Sequence, residues 1–212
     1  MDLARFHPAV SDDAVRTRHG LHGSRVIGCV SRLVPRKGQD VLLTAFAAIA
    51  LEAPDSRLLI VGHGRDRHRL EARARALGIS AAVIFTGEVP EVELPMYFRA
   101  ADIFVMPCRS RWGGLEVEAF GGVFLQASAV GRPVVAGISG GTCDAVLDGT
   151  TGVMVDGSSV GAVTAAIRGL LRDPAKALAM GAAGAAWTRA RWGWDQVATD
   201  ARSLLAGAMA TA

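Results

Sequence analysis

Six short stretches of the chain are apolar with hardly a polar interruption: Val26–Val30, Leu58–Val61, Val83–Phe85, Ile103–Met106, Val134–Ala136 and Val153–Val155. A strand with one wet face alternates apolar and polar positions, whereas a strand covered on both faces does not. These runs therefore predict strands buried between two layers of helices. Helical stretches are predicted between them, at Gln39–Glu52, Arg67–Leu77, Glu91–Ala101, Phe120–Val130 and Thr142–Leu147. Gly78 and Gly131 stand where helix C-caps fall, and Pro133 follows the second stop. A strand–helix alternation repeated in this way predicts a doubly wound, Rossmann-like α/β fold with a parallel sheet and right-handed crossovers. From Ser159 the pattern becomes all-helical, with helices expected at Val160–Leu171, Pro174–Ala190 and Asp195–Leu205. Residues 1–24 look too polar and irregular for the core. The expected division is a linker with a short helix over 1–24, the sheet-bearing lobe over 25–190 and a C-terminal helix over 191–212.

Composition narrows the class. Half of the 212 residues are apolar and a fifth are charged, which excludes disorder, collagen-like repeats and a disulfide miniprotein. The longest apolar run, Val41 to Leu51, is far short of the roughly 18–20 residues that span a bilayer. The N-terminus carries Asp2, Arg5 and His7 and reads as no secretory signal. Cys29, Cys108 and Cys143 are far apart, with no CxxC pair, which suits reduced thiols better than disulfides or zinc. No metal site is expected. The expectation is a soluble protein of the cytoplasm.

The net charge is +3, and Lys37 and Lys176 are the only lysines among 23 basic residues. The densest basic stretch, Gly64 to Ala76, interleaves Asp66 and Glu71 and lacks aromatics for base stacking. It reads as a solvated helix face, and no nucleic-acid partner is expected.

In open α/β sheets ligands sit beyond the carboxyl ends of the strands. The segments there are Gly-rich and polar: Ser31–Asp40, Gly62–Asp66, Thr86–Pro90, Pro107–Gln126 and Gly137–Thr142. Arg32 and Lys37 flank a turn with Pro35 and Gly38. Spacing alone allows either a diphosphate site or a solvated basic loop. Arg36, between them, is expected to face solvent. Gly62-His63-Gly64 is a weak dinucleotide fingerprint, because the third glycine position holds Arg67. That glycine pair would let a ligand approach the backbone, and His63 shows no partner acid nearby in sequence. Glu116 and Glu118 precede Gly121-Gly122, where a helix start would suit a phosphate and Glu118 could bind sugar hydroxyls. Acids favoured by the helix dipole explain the pattern equally. Ser139-Gly140-Gly141-Thr142 repeats the theme after the fifth strand. Trp187, Trp192 and Trp194 are read as packing or as a surface that docks another domain.

Taken together, VSRLVPRKGQD, LLIVGHG, VIFTGEVP, ELPMYFRAADIFVMPCRSR, VEAFGGVFLQASAVGRPVVAG, SGG and TGVMVDG stand in the order and spacing of one family. The chain resembles the C-terminal, donor-binding lobe of retaining GT-B glycosyltransferases of family 4. Within that family it looks most similar to actinobacterial GDP-mannose-dependent phosphatidylinositol mannosyltransferases, through VSRLVPRKGQD, MPCRSR and the tail MGAAGAAW…RWGWD. The resemblance implies that Arg32 and Lys37 hold the donor diphosphate and that Gly62 and Gly64 admit it. It implies that Thr86, Gly87, Glu88 and Val89 border the purine, and that Glu118, with Arg32 and Lys37, carries the catalytic role by bonding the hexose. Backbone amides of Gly121, Gly122 and Val123 would meet sugar and phosphate, and Gln126 the ribose. The donor implied is a nucleotide-diphosphate sugar, GDP-mannose, with no protein-bound cofactor; the acceptor implied is a lipid-linked or other hydroxyl at the inner membrane face.

Two departures qualify the resemblance. Gln126 stands where the family's second glutamate of E-x7-E falls, and Cys143-Asp144 stands where a proline and a glutamate are usual. An amide offers one acceptor where a carboxylate can serve both ribose hydroxyls, so weaker donor binding is expected, by about 1–3 kcal/mol if the contact is buried. The segment MDLARFHP resembles the family's interlobe segment, with Met1 in the place of a valine. The acceptor-binding lobe is thus expected to lie outside this chain, through a misplaced gene start or a truncated gene. The alternative function is a catalytically inactive, nucleotide-binding remnant, and a nucleotide-sugar epimerase matches the basic loop poorly. An exposed apolar patch at Trp192, Trp194 and the last helix is expected to drive self-association.

Overall fold

A computed structural model describes residues 1–210, with side chains to Ala206. The strands are β1 (Arg25–Val30), β2 (Ser56–Val61), β3 (Val83–Gly87), β4 (Ile103–Met106), β5 (Val134–Gly137) and β6 (Gly152–Val155). They form one six-stranded sheet in the order β3-β2-β1-β4-β5-β6, and every neighbouring pair is parallel. The order reverses at β1, and β1 and β4 are neighbours across that switch. Each of the six apolar runs lies within one strand, and β1, β2, β4 and β5 are almost wholly buried, as strands covered on both faces must be.

The helices are α1 (Asp13–His19), α2 (Gln39–Glu52), α3 (Arg67–Ala76), α4 (Leu94–Ala100), α5 (Gly122–Ala129), α6 (Thr142–Ala145), α7 (Val160–Arg172), α8 (Pro174–Trp192) and α9 (Trp194–Ala210). Their ends follow local chemistry. After α3 the chain closes with Gly78 at φ 70°, its N–H donating to Arg75 O at 3.0 Å while Ile79 N–H donates to Ala74 O. The Ser159 hydroxyl accepts from Ala162 N–H at 3.2 Å to start α7. The Asp173 carboxylate does the same for Lys176 N–H at 2.9 Å before Pro174-led α8.

Some expected bounds shift. The helix expected from Phe120 begins at Gly122, because Gly121 adopts φ 83° and cannot be a helical residue. The Glu91–Ala101 stretch divides into a 3-10 turn, Glu91–Glu93, and α4, with Pro95 near its start. The expected Thr142–Leu147 helix is one turn, and α8 runs past Ala190 to Trp192.

The larger correction concerns residues 1–24, which belong to the core instead of linking to it. Phe6, Val15 and Leu21 are 4%, 1% and 0% exposed. Phe6 opens a chain of rings through Phe98 of α4, Phe104 of β4 and Phe124 of α5, with centroids 6.0, 5.3 and 6.1 Å apart. Arg16 of α1 pairs with Asp12 at 2.8 Å and Asp102 at 3.0 Å and donates to Ala100 O. The polar positions that suggested a linker are the outer face of a short helix that turns Val15 inward. The other terminus joins the same wall: the Met1 ammonium donates to Trp192 O at 2.7 Å.

Candidate functional site

All five polar segments singled out in the sequence lie at the carboxyl end of the sheet, where the topology puts them. Two of them supply a buried ion pair. Lys37 ends a 3-10 turn, Pro35–Lys37, after β1; Glu118 lies in the loop between β4 and α5. Lys37 Nζ is 2.7 Å from Glu118 Oε2, and each side chain is 8% exposed. The contact is off the alignment of a hydrogen bond, so charge is what holds Oε2. Arg36 Nε adds a second cation 3.9 Å from the same oxygen. The expectation that Arg36 faces solvent is therefore corrected: its side chain is mostly buried.

The glutamate is held from behind by the β5–α6 loop. Glu118 N–H donates to Ser139 Oγ at 3.1 Å, and Gly141 N–H to Glu118 O at 3.3 Å. Gly140 sits at φ 53° with its Cα against Glu118 O, so that any Cβ there would collide. Ser139 is also 3.2 Å from Ser110 Oγ. Two loops thus meet the one that carries Glu118, the β1 loop at its carboxylate and the β5–α6 loop at its main chain. Glu116, by contrast, is taken up structurally: it accepts from Arg111 at 2.7 Å across a short antiparallel bridge.

Arg32 behaves differently from Lys37. Its side chain is exposed and has no ion-pair or hydrogen-bond partner among the described residues, while its carbonyl accepts from the buried Gln39 amide at 3.0 Å. The same amide donates to Ser31 Oγ at 2.9 Å, fixing the start of the loop.

Gly62 and Gly64 each lie beneath another loop. A Cβ at Gly62 would strike Ser31 O, and one at Gly64 would strike Leu33 O, because the β1 loop crosses directly over them. Leu33 N–H donates to His63 O at 2.9 Å, and Asp66 N–H to Leu33 O at 3.1 Å. Packing of two loops accounts for both glycines. His63 does have an acidic neighbour, supplied by a different loop: Glu88 Oε2 lies 3.8 Å from Nδ1, with both side chains well exposed. Thr86 and Gly87 end β3, with Thr86 Oγ1 donating to Gly87 O at 2.8 Å, and Gly62 N–H donates to Gly87 O at 2.8 Å. Val89 is half-buried beside them.

No side chain caps α5, and Gly122 is exposed with open space where a Cβ would stand. Gly122, Val123 and Gln126 line an open groove of about 790 Å³ together with Arg5, Glu91 and Trp192. Trp192 packs on Phe120 with ring centroids 4.9 Å apart and tilted at 55°, and so is not part of the exposed patch expected for it; Trp194, Leu204 and Leu205 are exposed. A further cavity of about 420 Å³ lies at the amino ends of β1 and β4, remote from these loops. The basic helix α3 is a solvated face anchored by Leu70 and Ala74, with Arg67 paired to Glu71 and Arg69 to Asp66.

Burial dominates the thiols. It pushes Cys29 up to about 11 and Cys108 up to about 12, the Glu118 charge adding to the second. Asp40 shows the opposite balance. Burial pushes its carboxyl up, but the Arg109 hydrogen bond and the charges of Arg109 and Arg69 outweigh it and leave it below the usual range. Neither Arg109 nor Asp40 stood out in the sequence, since nothing local marks a pair joined across two loops.

A parallel sheet with a switch at β1 and β4, and glycine-rich loops gathered on a buried Lys–Glu pair, defines a lobe of the GT-B kind. The chain belongs to the family of glycosyl transferases group 1, whose profile matches residues 11–187. It is 47% identical over 208 residues to the GDP-mannose-dependent alpha-(1-6)-phosphatidylinositol monomannoside mannosyltransferase of Mycolicibacterium smegmatis, covering 98% of this chain and 54% of that one. The chain spans about half the length of the curated relatives it matches. Sucrose-phosphate synthase from Thermosynechococcus elongatus superposes with a TM-score of 0.85 at 29% identity, covering 100% of this chain and 52% of that one. The C-terminal domain of the Francisella tularensis glycosyl transferase group 1 family protein LpcC shares the fold, with a TM-score of 0.79 at 23% identity over 91% of this chain and 98% of that one. Among the described residues no helix is long and apolar enough to cross a membrane.

Proposed function

We propose that this lobe binds the donor of a hexosyl transfer, GDP-mannose, and serves the donor half of a retaining mannosyltransferase acting on a lipid-linked hydroxyl. The observation that carries the reading is the Lys37–Glu118 pair, buried at the ligand end of the sheet and joined by Arg36. A charge pair enclosed there is poorly explained by stability alone, since apolar residues of similar volume generally serve a core as well or better. The donor's name comes from the relatives, which are GDP-mannose-dependent enzymes by description.

In this reading Arg32 and Lys37 hold the diphosphate, with Arg36 as a third cation. Glu118 hydrogen-bonds hydroxyls of the hexose. The backbone at Gly121, Gly122 and Val123 meets the sugar and phosphate. Gln126 faces the ribose, Gly62 and Gly64 admit the diphosphate, and the Thr86–Val89 segment borders the purine. The departing diphosphate gains negative charge as the glycosidic bond breaks, and cations fixed in advance stabilise that charge more than they stabilise the intact donor. Holding the hexose by Glu118 aligns its reacting carbon with an incoming hydroxyl. The acceptor, a place at the inner membrane face of the cytoplasm and self-association through Trp194, Leu204 and Leu205 belong to the same proposal.

A thermal-shift panel of GDP-, UDP- and ADP-sugars tests the donor. Stabilisation by GDP-mannose above that by UDP-glucose supports the reading; equal responses, or none, contradict it. Gln126 favours one rival, an inactive nucleotide-binding lobe. Mannosyl transfer or donor hydrolysis by the chain above background removes that rival.

A further inference from the structure

The loop that carries Lys37 is bracketed by a single residue of another loop. Arg109 follows β4 by a few residues. Its main-chain N–H donates to Arg36 O at 2.9 Å, immediately before Lys37. Its guanidinium Nη2 donates to Asp40 Oδ2 at 2.9 Å, in the first turn of α2 just after Lys37. Both of these side chains are 18% exposed. Between the two anchor points Gly38 turns at φ 75° with its Cα against Pro107 O, too close for any side chain. Arg69 approaches the same Asp40 oxygen at 3.7 Å. Asp40 Oδ1 is buried without a partner, so Arg109 provides the close compensation for this carboxylate.

We infer that Arg109 is a positioning residue for Lys37, clamping residues 36–40 so that the ammonium points at Glu118. This deepens the donor-site reading and takes its functional meaning from it. The start of the loop is tied by Gln39 to Ser31 and Arg32, the turn itself closes with Lys37 N–H donating to Val34 O at 3.0 Å, and Arg73 Nε holds Asp40 O at 3.0 Å; Arg109 adds the ties that join this turn to the β4 loop. Without the guanidinium, Asp40 keeps a largely buried charge whose nearest cation is Arg69 at 3.7 Å, and moving the first turn of α2 toward water relieves it. Lys37 would move with that turn.

The chain's two lysines make this measurable without any ligand. Lys176 is exposed and Lys37 is 7% exposed, so amine acetylation read by peptide mass spectrometry compares them within one sample. Cys29, fully buried in β1, reports whether the lobe as a whole has opened. In Arg109→Ala the labelling of Lys37 relative to Lys176 is expected to rise about tenfold, the equivalent of one charge-assisted hydrogen bond, with Cys29 still protected. Both variants keep the main-chain bond; Arg109→Lys also keeps a positive charge and is expected to recover much of the protection. Unchanged Lys37 labelling in Arg109→Ala overturns the inference, and so does a rise that Cys29 exposure matches. If the wild-type protein instead ignores GDP-mannose, the donor reading fails while the labelling result still decides the role of Arg109.

Discussion

Lys37 and Glu118, brought from the loops that follow the neighbouring strands β1 and β4, meet at 2.7 Å with each side chain 8% exposed. Taking one partner away leaves the other charged and buried, which is costlier than never having had the pair. Lys37→Ala is therefore expected to lower the unfolding free energy by about 3 kcal/mol in urea titrations. The double variant Lys37→Met, Glu118→Leu should regain most of that loss while binding no donor. A double variant as unstable as Lys37→Ala would show that shape and not charge governs the site.

The sheet was legible because burial on both faces leaves a plain trace in sequence. Each of the six apolar runs became a strand, and the glycines at 78 and 131 both took left-handed conformations beyond helix ends. Residues 1–24 were misread because Phe6, Val15 and Leu21 are single apolar residues in polar surroundings, and isolated core contacts have no period to detect. At the site, Lys37 and Glu118 stood out as residue types. What stayed hidden was everything that depends on how loops cross: Arg36 turning inward, Glu88 reaching His63, Arg109 spanning to Asp40, and the β1 loop lying over Gly62 and Gly64. These relations join residues far apart in the chain, and no spacing rule encodes them.

Gly140 makes the packing at Glu118 testable by itself. Its φ of 53° and its contact with Glu118 O leave no room for a methyl group. Gly140→Ala is expected to destabilise the lobe by about 2–4 kcal/mol through strain and displaced backbone. Thermal denaturation measures it, and a melting temperature within a degree or so of wild type, the size of a neutral surface change, contradicts the packing described.

Gln126 lines the groove beside Gly122 and Val123. A carboxylate there can accept from two hydroxyls where the amide accepts from one. Gln126→Glu is expected to tighten GDP-mannose binding about tenfold, read by calorimetry. A variant that binds no better would place the ribose elsewhere.

The buried thiols set an alkaline limit. Their folded values, about 11 for Cys29 and about 12 for Cys108, lie above the roughly 8.5 of a free thiol. A group raised in the folded state contributes its full stability below the unfolded value and loses it as pH climbs through the folded one. Stability is therefore expected to fall between about pH 9 and 12, by up to about 1.4 kcal/mol per unit for each thiol, and Cys108→Ala should flatten the decline. A chromogenic thiol reagent at pH 8 should find Cys143, which is exposed, and reach the other two only in denaturant.

The central claim is that the cations of the β1 loop grip a guanosine diphosphate. Calorimetric titration of GDP-mannose into the wild-type chain and into the Arg32→Ala, Lys37→Ala double variant tests it most directly. Saturable binding is expected for the wild type and none for the double variant at the same concentrations. Equal affinities for the two proteins would contradict it.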